Sequence, residues 1–159
     1  MASFEIWEVA VSFTAGIASG TIVGVIVEHL RLRHTLRVET IKRLTPYLEA
    51  ATPLVTRIDE HAEFAMRMLN ASGGHDPSVQ ITNLKSALNQ YVDWYSQFQE
   101  KGMRPELESI DSELYDRMTG LFNLSRFSSS YGNAYVSQNI EAFHRGSSAI
   151  RSKLDRFWR

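Results

Sequence analysis

Two hydrophobic patterns divide the chain. From Val9 to Val27 every side chain is apolar, small or a hydroxyl, with no charge at any of 19 positions, whereas beyond Glu28 apolar residues recur at intervals of three and four. The first pattern asks for an apolar solvent on all sides; the second asks for helices with one buried stripe each. Leu48, Ala51, Val55, Ile58, Ala62, Ala65 and Leu69 make one stripe, and Ile81, Leu84, Leu88, Tyr91, Tyr95 and Phe98 make a second. Leu107, Ile110, Leu114, Met118 and Leu121 form a shorter one, and Val136, Ile140, Phe143, Ser147, Ile150, Leu154 and Phe157 form the last. No stretch alternates with the period of two that a half-buried strand needs.

Proline and glycine place the breaks. Thr45-Pro46, Thr52-Pro53 and Asp76-Pro77 each offer a capping oxygen followed by proline at the first helical position, where its missing N–H costs nothing. Asn70 to His75 and Phe127 to Asn133 read as turns, and Gly102 with Pro105 as another. The expected fold is all-α: a single N-terminal transmembrane helix, then a cytoplasmic antiparallel bundle of about four helices near 53–70, 77–101, 105–125 and 132–157. The corresponding domains are an extracytoplasmic N-terminus (1–8), the span (9–27), a juxtamembrane basic helix (28–45) and the bundle (46–159). Seams that face other subunits instead would make the bundle intermolecular, and the spacing alone leaves both arrangements open.

A helix over Val9 to Val27 is about 28 Å long, close to the ~30 Å of a bilayer's hydrocarbon core. Nine of its residues are Val, Ile or Phe, which favour insertion by roughly 3 to 5 kcal/mol in total. Glu5 and Glu8 stand where a signal peptide would carry cations, which points to an uncleaved anchor. The basic excess (Arg31, Arg33, Arg37, Lys42, Arg43) follows the span, so the positive-inside rule puts the N-terminus outside the inner or plasma membrane and the rest in the cytoplasm. Trp7 sits at one interface, and Arg31, Arg33 and Arg37 at the other.

Within the span Ser12, Gly16, Gly20 and Gly24 recur every four residues. Lipid supplies no hydrophobic drive for helices to associate, so a small-residue row acts by letting two backbones approach closely. The row predicts a homo-oligomer, with the bilayer and further copies of the chain as its first partners.

Composition mostly narrows the chemistry. A net charge of -1 argues against general nucleic-acid binding, and the absence of cysteine removes disulfides, thiolate zinc sites and cysteine nucleophiles. No phosphate loop, HExxH or GxSxG occurs, and no two of the five histidines are three or four residues apart, so no metal, cofactor or catalytic residue is expected. Arg57 and His61 stand too close for the Arg-then-His spacing of HEPN-type ribonucleases. The carboxylates from Glu106 to Asp116 suit a helix N-terminus. Two regions carry binding chemistry: Arg126, Tyr131 and Tyr135 in the FSSSYGN turn region, and Arg151, Arg156 and Trp158 near the C-terminus. Acting together, their guanidinium and aromatic groups would suit a small nucleotide ligand.

The resulting functional expectation is a non-enzymatic, self-associating membrane protein whose cytoplasmic bundle senses a ligand or protein partner. Pore formation or membrane perturbation would be its output, a plan shared by bacterial effectors including those of antiphage defence. The alternatives are a tether that recruits a partner without gating and a membrane-anchored helical nuclease relying on Arg57 and His61.

Overall fold

The computed structural model describes the backbone of residues 2–71 and 76–158 and the side chains of 24–71 and 76–158. The chain is all-α: α1 (Ala2–Asn70), α2 (Ser78–Glu100), α3 (Arg104–Ile110), α4 (Ser112–Gln138) and α5 (Ile140–Phe157), with no strand among the described residues. It divides into two compact units, Met1–Thr40 and Ile41–Arg159. Among the described residues no helix is long and apolar enough to cross a membrane. Most of the expected span, residues 9–23, lies outside the described side chains, as do Trp7, Ser12, Gly16 and Gly20.

In the unit Ile41–Arg159 the four stripes close on one another within a single chain. Tyr47 meets Phe98 edge-on at 6.1 Å, Arg57 Nη1 donates to Gln90 Oε1 at 3.4 Å, and His61 Nδ1 lies 3.3 Å from Gln80 Oε1. Rising numbers on α1 therefore pair with falling numbers on α2. The same order links α2 to α4, through Tyr95 with Thr119 and Ser128 with Asn89, and α4 to α5, through Glu113 with Lys153 and Leu121 with Gly146. The result is an up-down-up-down four-helix bundle.

Its core is the sequence pattern made solid. Leu44, Leu48, Ala51, Val55, Ile58, Ala62 and Ala65 of α1 are fully buried, and so are Leu84, Leu88, Tyr91, Tyr95 and Phe98 of α2. The three alanines let α1 approach its neighbours closely. Leu69 departs from the expectation at 51% exposed, because it stands at the open mouth between the end of α1 and the start of α5. Tyr91 Oη donates to Met118 O at 2.9 Å, and burial pushes its phenol well above the ordinary range. Tyr95, 2.6 Å from Thr119 Oγ1, is pushed up to about 12, mainly by burial.

The breaks differ from the expectation in three places. α1 runs through Pro46 and Pro53, where a Pro-marked bend and a fresh helix start are expected. Thr45 and Thr52 do not act as caps: their hydroxyls donate back to Ile41 O (2.8 Å) and Leu48 O (3.0 Å). A proline inside an isolated helix costs about 3 kcal/mol. Here buried Leu44, Leu48, Ala51 and Val55 flank both prolines, and their packing keeps the helix continuous. The expected helix 105–125 is two, divided at Asp111, whose extended backbone (φ -149, ψ 90) and Oδ1 cap the N–H of Leu114. The expected turn from Phe127 to Asn133 contracts to one residue, Gly132, at φ 69 and ψ -160, a conformation essentially closed to side-chain-bearing residues. At the start of α2 the N-cap position is held by Pro77 rather than Asp76, one residue later than the Asp-Pro pair suggests; Asp76, just before it, accepts from Ser78 N–H at 2.9 Å, which lowers its carboxyl.

The acidic run fastens helices together. Glu106 pairs with Arg43 at 2.8 Å, and Glu113 pairs with Lys153 of α5 and with Arg117. Hydrogen bonds from Lys153 first and Arg117 second hold the Glu113 carboxyl at about 2, against an ordinary 4.5. A folded-state value below the unfolded one gives stability that is present above the ordinary value and lost as pH falls toward the folded one. Glu113→Gln is accordingly expected to flatten the loss of urea stability between about pH 5 and pH 2. An unchanged slope, followed by circular dichroism, would remove Glu113 from the acid response.

Candidate functional site

Among the described residues Asp59 is the one buried carboxylate, 6% exposed at the edge of the core. Helical spacing puts it there: Val55, Ile58 and Ala62 face inward, and Asp59 is one step round, turned toward α5. The α5 seam answers with a polar residue, Ser147, fully buried where its neighbours Phe143 and Ile150 are apolar. Ser147 Oγ lies 2.8 Å from Phe143 O and 3.3 Å from Asp59 Oδ1, so its single proton serves the helix carbonyl before the carboxylate. Arg151 Nη1 donates to Asp59 Oδ2 at 3.0 Å. His144 Nδ1 is also 3.0 Å from Asp59, at Oδ1, but off the line of a hydrogen bond, and it has no other partner.

This cluster floors a cleft of about 460 Å³ between α1 and α5, whose walls include Glu63, Ser148, Asp155 and Arg156. Carboxylates and cations alternate around it, so the cleft offers donors and acceptors to a polar guest and no net field for a simple anion. A Ser–His–Asp relay is not assembled, because Ser147 is buried and its proton is directed to the Phe143 and His144 carbonyls and Asp59, not to the His144 ring. Among the described residues no three ligating side chains converge as a metal ion would require. Two further clefts follow the same α1–α5 seam. One of about 580 Å³ is walled by Trp158, Pro53 and Arg57, and one of about 480 Å³ by Met66, Gln138 and Arg145.

The six candidate binding residues fall into the two regions that the sequence sets apart. Arg151 and Arg156 line the charged cleft, and Trp158 lines the next one along. Arg126, Tyr131 and Tyr135 belong to α4, where Tyr135 meets Phe143 near the start of α5, a helix of 18 residues and so about 27 Å long. There Arg126 lies over the Phe127 ring at 4.9 Å, and Phe127, Tyr131 and Tyr135 form a triangle of rings with centroids 5.8 to 6.2 Å apart. Tyr135 donates to Leu124 O at 3.0 Å, and burial raises its phenol. The two groups lie toward opposite ends of α5. The C-terminal cations are largely occupied: Arg145 with Glu141, Arg151 with Asp59 and Lys153 with Asp111 and Glu113.

Arg57 and His61 both turn to α2, to Gln90 and Gln80. Arg31, Arg33 and Arg37 are exposed on α1, and a Cβ at Gly24 would meet nothing within 4 Å. Asp59 escapes the sequence reading because an aspartate beside an apolar stripe looks like a solvated residue. The signal was Ser147, a hydroxyl inside an apolar series, which calls for something polar opposite. No family model matches the chain, and no curated protein or solved structure does either.

The pair is asymmetric, since Asp59 is buried while the Arg151 side chain is 47% exposed. Arg151→Ala leaves a buried carboxylate without its cation and is expected to cost about 1 to 3 kcal/mol, discounted from the cost of breaking a fully buried pair. Asp59→Leu, which lets the arginine turn to water, should cost less. Chemical denaturation that ranked the two variants the other way would show that Asp59 is not held by Arg151.

Proposed function

We propose that this chain is a non-enzymatic, single-pass membrane protein that self-associates through the glycine row of its N-terminal helix. Its bundle lies on the cytoplasmic side and senses a polar ligand or a partner protein. Binding in the α1–α5 cleft biases the packing of the spans only as far as the guest prefers one packing over another. The output of that bias is a leak or perturbation of the inner or plasma membrane.

One contrast carries the reading. The bundle buries its own seams within one chain, whereas the residues that follow the uncharged run Val9–Val27 leave Leu30, Leu32 and Leu36 more than half exposed. The bundle needs no partner to complete its core; the N-terminal helix does. The tether reading draws on a different observation, the exposed Tyr131 and Phe127 beside Arg126, since aromatic and arginine side chains are enriched at protein interfaces.

Gly20→Ile is expected to weaken self-association of the detergent-extracted protein at least about tenfold, roughly 1.4 kcal/mol. Loss of membrane potential on expression should fall with it. A tether would cause no depolarisation before or after the change. Recovery of the unmodified chain as a soluble monomer would contradict both readings.

A further inference from the structure

The exposed apolar residues of α1 between Gly24 and Thr40 do not form one face. At about 100° per residue, Val25, Leu32 and Leu36 fall within about 20° of one line and Val27, Leu30 and Val38 within about 40° of the opposite line, while Ile26, at the end of the uncharged run, lies between them on the side of Arg33 and Arg37. All seven are between 37% and 64% exposed, and beyond the uncharged run Leu32 and Leu36 stand opposite Leu30 and Val38. A helix lying on a lipid surface would gather its apolar residues on one side and its cations on the other. Two opposed stripes suit a helix with a neighbour on each side.

The charges at the borders distinguish the stripes. Glu28 and Glu39 flank the first, and Arg31 and Lys42 flank the second on that same side of the helix. None of these four is in an ion pair among the described residues. Shifting a copy sideways without turning it sets its first stripe against the neighbour's second. Glu28 then meets the neighbour's Arg31, and Glu39 meets its Lys42, each across a rise of about 4.5 Å that the side chains can cover. Arg33 and Arg37 lie on the other side, clear of this border.

We infer that residues 25–42 form a parallel, heterologous contact with further copies of this chain, one stripe to each neighbour, so that assembly proceeds past a dimer. Repetition of such a contact closes into a ring or extends as a chain; a two-fold dimer would instead match each stripe with itself. The inference rests on the proposed parallel self-association through the span and extends it beyond the uncharged run.

The chain has no cysteine, so introduced thiols report alone. Full-length L30C/L32C, oxidised in native membranes, is expected to yield a ladder of trimers and larger species, while L30C and L32C alone stay largely monomeric. Glu39→Lys added to the pair should lower the ladder about fivefold, and adding Lys42→Glu as well should restore it. Strong dimers from L32C alone, a double variant that stops at dimers, or failure of the charge exchange to restore the ladder overturns the inference. So does an absent ladder alongside an oligomer that still depends on Gly20, and that result leaves the span reading standing. A monomer under every condition removes both.

Discussion

The seam that α1 buries between Leu44 and Ala65 holds the bundle unit together. Seven side chains reach zero exposure on this one helix, and all belong to a single core cluster with residues of α2, α3, α4 and α5. Because this stretch contains Pro46 and Pro53, the helix must remain regular where two backbone N–H groups are missing. Packing against the neighbouring helices outweighs the local preference, which is why the bundle can use one long helix where the punctuation asks for a bend.

On that frame the polar features occupy the edges. Asp59 sits at the border between the apolar seam and the α1–α5 cleft, where Arg151 neutralises it from the solvent side and Ser147 approaches it from within. A buried ion pair of this kind adds little net stability, because desolvation offsets much of the attraction. What it does is fix the register of α5 on α1 and present an ordered, mixed-charge floor to the cleft. A guest that competed for Arg151 or His144 would act directly on that register. The aromatic patch near Gly132 lies at the other end of α5, away from that register contact.

Much of this was legible in the residues. The α2 and α5 seams follow spacings of three and four without interruption, and all but the half-buried Phe157 reach the core. The α1 seam fails only at Leu69, where partner helices no longer cover it. Thr-Pro misleads because the same dipeptide marks a helix start and survives inside a packed helix, and only tertiary contacts tell these apart. Gly132 and Asp111 break helices more sharply than expected, one through a backbone conformation open to glycine and the other through a side-chain cap. The site was less legible. Residues chosen for their chemistry, Arg126 and Arg156 among them, are separated by the length of a helix, a distance that composition and spacing do not encode. Asp59 becomes prominent only when Ser147 and Arg151 are seen across from it.

Closure of the bundle within one chain is the claim on which the proposed division of labour rests: a C-terminal unit with its own core, and an N-terminal helix proposed to associate with further copies. Hydrogen exchange of the full-length detergent-extracted protein, followed over a hundredfold dilution, tests it most directly. The account expects amides between Leu44 and Ala65 to keep their protection at every concentration, since their partners belong to the same polypeptide. Protection of that stretch that fell away on dilution would mean that α1 packs against other copies, and the intrachain bundle would be contradicted.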